Sequence, residues 1–243
     1  MNENAEYQDA LKRVYYADIA ERYEDMCDEI LYAIGIAKDS KIDLSLSARN
    51  YFSLAFKNVV SKRRNSWRML NSVKNKHPED IAIIDEKINI IINEIIKYSD
   101  QVLKAIDENM PNGDIKDKST MVFMYKMQGD YLRYKAEVQM GDEQKKSSKN
   151  AHEAYKLAVE ACKELPSTDP TKLGLFLNYS VFHYEILNDA DTACKLAKDA
   201  FENAISDLDQ LNEAYYKDST LIMQLLRDNL TLWTTRNDVK KPE

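Results

Sequence analysis

Glycine and proline are so scarce in this chain, five of each in 243 residues, that a fold built on turns and hairpins is closed to it. Average usage is roughly 7% and 5%. The prolines that do occur stand at breaks: Pro78, Pro111, Pro166 and Pro170 fall between periodic stretches, beside polar runs such as KHPED, MPNGD and PSTDP. Between them the chain is rich in Leu, Ile, Ala, Lys and Glu, which favour helix. The periodicity predicts nine helical segments, at 3–17, 19–35, 45–76, 79–108, 118–140, 147–164, 170–188, 190–207 and 212–235. The expected fold class is therefore all-α, with short links making successive helices antiparallel neighbours. Runs such as AYKLAVEACKEL and ACKLAKDAFENAISDL look like tetratricopeptide helices, because small residues recur where helices pack closely. The 34-residue signature of that repeat is not met along the chain, and a repeat scaffold stays open as an alternative.

Composition narrows the function classes. An apolar share of 44% against 31% charged excludes disorder throughout and supplies a sizeable core. The net charge of -7 and isoelectric point near 5.2 argue against nucleic acid, whose readers are usually strongly basic. No apolar run reaches the roughly 18 residues of a membrane span, and the opening MNENAEYQDA is polar and acidic, so a cytoplasmic protein without a membrane partner is expected. Cys27, Cys162 and Cys194 are odd in number and far apart, with no CxxC spacing, which gives neither a disulfide framework nor a metal site any support. His77, His152 and His183 are isolated, and no HExxH, GxGxxG or GxxxxGK[ST] occurs. Neither enzymatic activity nor a cofactor is expected.

One stretch runs against the acidic whole. AFKNVVSKRRNSWRML, residues 55–70, carries five basic side chains and no acidic one, and no Asp or Glu occurs from Leu44 through Pro78. On a helix, Lys57, Arg64 and Arg68 lie 7 and 11 residues apart and return to within about 20° of one direction. They form a cationic stripe beside a wall of Phe52, Phe56, Val60, Trp67 and Leu70 that should pack into the core. The usual partners one turn away are missing. Either an acidic helix elsewhere in the chain neutralises the stripe, or a ligand does; periodicity alone leaves both open.

Four separated stretches, RNYFSLAFKNVVSKRRNSWR (49–68), YKMQGDYLRYKAEV (125–138), LGLFLNYSVFHYEILN (173–188) and YYKDSTLIMQLLRDNLTLW (215–233), together resemble the 14-3-3 family, in its order and near its spacing. The resemblance extends from Ala20 to Trp233 and is weakest between Lys74 and Ser119. It implies nine antiparallel helices forming a concave amphipathic groove, a cup-shaped homodimer or a heterodimer with a paralogue, and the binding of phosphoserine or phosphothreonine peptides of client proteins. It implies one domain over 1–235, with 1–76 serving dimerisation and the basic half of the groove, 118–235 forming the rest, and 236–243 a short flexible tail. Its phosphate-binding positions match Lys57, Arg64, Arg133 and Tyr134, supported by Arg68, Lys126 and Asp130. This chemistry suits a phosphoryl group of about -1.5 to -2 charge with three acceptor oxygens, which guanidinium forks bind bidentately. Its peptide-binding positions match Leu177, Asn178, Val181, Glu185, Leu221, Ile222, Leu225, Asn229, Leu232 and Trp233, with Asn178 and Asn229 hydrogen-bonding the ligand's backbone.

Departures from the family pattern are Ser61, Gln128 and Phe176, and a tail, TTRNDVKKPE, that is short and mixed in charge where family members often carry a longer acidic one. Ala20, Arg22, Asp25 and Ser66 match dimer contacts, although KINIIINEII in the fourth helix lacks the expected Tyr and charged pattern. The letters RRNS place two arginines just before Ser66, as at a basophilic kinase site, where an added phosphate would bring repulsion and desolvation to a dimer contact.

Overall fold

The structure, a computed structural model, describes residues 3–109, 118–211 and 213–239; side-chain placements are described from residue 5 to 235, except at 210. Nine α-helices and no strand occur among them: α1 (Glu3–Ile19), α2 (Tyr23–Asp39), α3 (Leu46–Lys74), α4 (Ile81–Asn109), α5 (Lys118–Val138), α6 (Gly141–Ala161), α7 (Pro170–Glu185), α8 (Ala190–Ser206) and α9 (Tyr216–Val239). The chain divides into two compact units, Met1–Gly113 and Asp114–Glu243.

In the first unit, each helix buries one stripe. Tyr7, Ala10 and Val14 of α1, Met26, Cys27, Ile30 and Ala33 of α2, and Phe52, Ala55, Phe56 and Val60 of α3 are buried at helical spacing. The α4 seam of Ile88, Ile95 and Val102 repeats every seven residues. Each large side chain withdrawn from water contributes about 1.5–3 kcal/mol. The predicted wall of α3 is buried at Phe52, Phe56 and Val60, while Trp67 and Leu70 are only half-buried. Ser45 caps α3 by accepting from the Ala48 N–H at 3.2 Å.

The second unit begins with the α5/α6 hairpin. Its α8 buries Ala193, Ala197, Ala200 and Ala204, a small-residue stripe that packs with Leu173 of α7 and with Met223, Leu226 and Trp233 of α9. Asp169 caps α7 through the N–H groups of Thr171 and Lys172, with Pro170 in the first turn.

Three helix starts differ from the sequence reading by four residues or more, and one of them is α9, which begins at Tyr216 and not 212. α2 begins at Tyr23, not 19, because α1 ends in a Schellman turn: Glu21 adopts φ +52, and the N–H of Arg22 reaches the carbonyl of Ala17 at 2.9 Å. Lys41 ends α2 in the same way, with φ +54. α6 begins at Gly141 (φ +61), six residues before the first periodic apolar position suggested, because its first turns are polar and exposed. α9 continues to Val239, and the tail from 240 lies outside the described residues.

Candidate functional site

In the second unit, residues of three helices meet around one carboxylate. Lys126, Asp130 and Arg133 share a face of α5, at i, i+4 and i+7. The buried Asp130 accepts from Lys126 Nζ at 2.9 Å, from the Tyr155 hydroxyl at 2.6 Å, and from Asn178 Nδ2 at 2.9 Å to each oxygen. Arg133 is 5% exposed. Its Nε donates to the Tyr155 hydroxyl at 3.2 Å, and its guanidinium lies 4.6 Å from the centre of the Tyr134 ring. One negative charge thus stands between two positive ones.

The electrostatics follow from this packing. Burial pushes the Asp130 carboxyl up, but the charges of Lys126 and Arg133, with the Tyr155 bond, overturn that and hold it below the usual carboxylate range. Burial likewise opposes the charge of Arg133, and the oxygens of Tyr155, Tyr134 and Asp130 outweigh it. The Tyr155 phenol is pushed well above its ordinary value, first by burial and then by Asp130.

The same region gathers the predicted peptide-binding residues of α7 and α9. A carbon added to Gly174 would lie 3.6 Å from Lys126 Cε and 3.9 Å from Ile222 Cδ1, so α5, α7 and α9 converge there. Leu177, Val181 and Ile222 are half-buried and pack on the α7/α8/α9 core. Leu221, Leu225 and Leu232 are 59%, 43% and 47% exposed, an apolar stripe turned to solvent along α9, with half-buried Asn229 between them. Glu185 is exposed at the end of α7. Trp233 is 3% exposed and stacks on Tyr184, ring centres 4.7 Å apart, so it belongs to the floor of this region and not to its rim.

In the first unit, α3 splits its basic residues. Arg63 is neutralised within the chain, by Glu94 at 2.7 Å and Glu24 at 3.2 Å, with the Tyr98 ring 4.7 Å away. The acidic partners missing from α3 itself are supplied to this arginine by α2 and α4. Lys57 and Arg68 are exposed and Arg64 half-buried, all off the Arg63 side. Of the predicted dimer contacts, Ala20 and Arg22 lie in the α1/α2 turn, Asp25 opens α2 and pairs with Arg22, and half-buried Ser66 donates to the Lys62 carbonyl at 3.1 Å. Large apolar side chains are exposed in the same unit: Tyr16 and Ile19 of α1, Met69 of α3, and Ile83 and Ile90 of α4.

Tyr155 and Gly129 escape a reading of the sequence. Tyr155 stands 25 residues from Asp130 on another helix. The signal that points to it is Gly129, an isolated glycine inside the α5 pattern, which usually has a packing reason. Among the described residues, one trio has donor atoms close enough to share a metal ion, the exposed His77, Glu79 and Asp80 beside the turn before α4. No helix among the described residues is long and apolar enough to cross a membrane.

Comparison with known proteins matches the 14-3-3 protein family model over residues 13–234. The chain is 50% identical over 239 residues to the 14-3-3 protein homolog of Encephalitozoon cuniculi, covering 96% of this chain and 93% of that protein. It is 46% identical over 235 residues to Protein BMH2 of Saccharomyces cerevisiae, covering 94% and 84%, and 45% identical over 230 residues to 14-3-3 protein 7 of Solanum lycopersicum, covering 92% and 90%.

Proposed function

We propose that this chain, which belongs to the 14-3-3 family, is a cytoplasmic adaptor that binds phosphoserine or phosphothreonine segments of client proteins and performs no chemistry on them. Lys57, Arg64, Arg133 and Tyr134 take the phosphate, and Arg68 adds to the field. Each charge-assisted bond to a phosphate oxygen contributes about 1.5–3 kcal/mol. Asn178 and Asn229 serve the backbone of an extended ligand, while Leu221, Leu225 and Leu232 offer its side chains an apolar rail that reads them loosely.

The observation that carries this reading is the setting of Arg133. A guanidinium this deeply buried is costly unless it serves a bound anion or a full ion pair. Here the Asp130 carboxylate beside it is shared with Lys126, and Arg133 Nη2 stands 3.7 Å from it. The exposed leucines of α9 support the second part of the reading, since stability gives no reason to leave them in water.

The active form is a dimer, a homodimer or one made with a paralogue. Its contacts include Ala20, Arg22, Asp25 and Ser66, and the exposed Tyr16, Ile19, Met69, Ile83 and Ile90 supply apolar area in the same unit. Two sites joined rigidly bind two phosphorylated segments of one client with avidity raised roughly 10²–10⁴-fold when the linker permits. A phosphate on Ser66 works against this assembly. Light scattering of Ser66→Glu reads that directly, with a shift toward monomer expected and an undisturbed dimer counting against it.

Calorimetric titration with two peptides identical but for one phosphate on serine tests the function. Micromolar or tighter binding of the phosphorylated form alone is expected. Equal affinity for both forms assigns the chain to the scaffolds of unphosphorylated segments instead.

A further inference from the structure

Three observations single out the Tyr155 hydroxyl. It bridges two charged groups of α5, donating to Asp130 Oδ1 at 2.6 Å while accepting from Arg133 Nε at 3.2 Å. The direct approach of the two charges, Arg133 Nη2 to Asp130 Oδ1, is 3.7 Å, beyond a hydrogen bond. And the ring that carries the hydroxyl is fully buried, pressed so closely on α5 that a Cβ at Gly129 would meet its carbons at 2.8 Å.

An aspartate three residues from an arginine on one helix face ordinarily closes on it directly, and a carboxylate and a guanidinium make a bidentate pair. Such a pair here would engage the forked edge of Arg133 with Asp130. The inserted hydroxyl satisfies Nε and holds the carboxylate off, so that the attraction positions the guanidinium without capturing its fork. Burial and Asp130 keep the phenol protonated, which it must be to donate.

We propose that Tyr155 is a positioning residue for phosphate recognition: its hydroxyl, seated by Gly129, spaces Asp130 from Arg133 and keeps the Arg133 fork available to a phosphoryl group. The proposal rests on the phosphopeptide reading above. It adds a residue of α6 that touches no ligand and acts through Arg133. The rest of the ring's surroundings serve only to fix it: Tyr155 stacks on Tyr179 with centres 5.1 Å apart and lies 5.5 Å from Phe182.

The test compares Tyr155→Phe with Tyr179→Phe in the full chain, using a phosphoserine peptide and its unphosphorylated twin. Tyr155→Phe keeps the ring against Gly129 and deletes the bridge. Tyr179→Phe deletes a hydroxyl from the same ring stack, one that contacts His152 Nδ1 at 3.3 Å and not α5. Tyr155→Phe is expected to bind the phosphopeptide about tenfold to a hundredfold more weakly, with Tyr179→Phe at the wild-type value. A readout insensitive to general packing is the phosphorus resonance of the bound peptide titrated with pH. The second phosphate pKa, ordinarily about 6, is held down in the wild-type complex and returns toward its free value in Tyr155→Phe. Gly129→Ala, which displaces the hydroxyl instead of deleting it, gives the same selective loss and serves if Tyr155→Phe does not fold.

Wild-type affinity and titration in Tyr155→Phe or Gly129→Ala, or an equal loss in Tyr179→Phe, overturn the proposal. Failure of the wild-type chain itself to prefer the phosphopeptide is a different result, and it overturns the phosphopeptide reading together with this one.

Discussion

Asn178 Nδ2 lies 2.9 Å from both carboxylate oxygens of Asp130. A carboxylate only accepts hydrogen bonds, so the contact orients the amide: its nitrogen faces Asp130 and its oxygen faces away. Asn178 is thereby an acceptor toward anything beyond α5, suited to an N–H of a ligand backbone. Asn178→Asp preserves the shape and sets two carboxylates against each other. The new carboxyl is expected to titrate above its ordinary range, and its charged form destabilises the fold. By linkage the stability deficit relative to wild type is largest at neutral pH and shrinks as pH falls through the raised pKa. Chemical unfolding at pH 7 and pH 5 reads it; a deficit independent of pH contradicts the assignment.

Gly129→Ala sets a favourable helix-propensity change of up to about 1 kcal/mol against an overlap at 2.8 Å with a fully buried ring. Overpacking of this kind costs about 1–3 kcal/mol. A net loss of about 1 kcal/mol is expected from the urea midpoint, where an exposed helical glycine would show a gain.

His183 titrates against the fold. Burial lowers its pKa from the ordinary 6.5, and nearby His152 adds to that, while Asp189 at 3.3 Å opposes both without reversing the shift. A base with a lowered folded pKa contributes stability that is present above pH 6.5 and lost as pH falls through the folded value. The melting temperature should therefore decline below about pH 6.5. In His183→Gln that part of the decline is flattened, even though the variant melts lower at pH 7.5. An unchanged slope in calorimetry contradicts the assignment.

The α9 rail separates binding from stability. Leu225→Asp touches a side chain 43% exposed, so the change in unfolding free energy should stay within about 0.5 kcal/mol. Affinity for the phosphopeptide should fall severalfold while the dependence on phosphate is kept, because this stripe reads side chains and not phosphate. A variant that loses only the phosphate preference would place Leu225 elsewhere in the account.

The helices were legible because apolar spacing survives in a chain with so little to interrupt it, yet their ends were not. Glu21 and Lys41 adopt left-handed backbone without being glycine or asparagine, so these stops carry no letter that marks them. The start of α6 was hidden for a different reason: residues 141–146 are all exposed and show no periodicity. Charged candidates are easier to read from a sequence than neutral partners. Lys57, Arg64 and Arg133 announce themselves by type and by a family pattern. The Asp130–Tyr155 contact joins positions 25 residues apart on different helices, and only the folded hairpin brings them together. Arg63 shows the limit within one stretch: it neighbours Arg64 in sequence, but its helical position turns it toward Glu24 and Glu94, and its charge is absorbed inside the fold.

Service of a phosphate by the basic stripe of α3 is read by fluorescence anisotropy of one Arg- and Ser-rich peptide, phosphorylated and not, against wild type and Lys57→Glu. Lys57 is exposed, so the variant should fold and melt as the wild type does. Micromolar or tighter binding of the phosphorylated form alone is expected, weakened tenfold or more by Lys57→Glu. Equal binding of both forms by the wild type, or full affinity retained in Lys57→Glu, would contradict it.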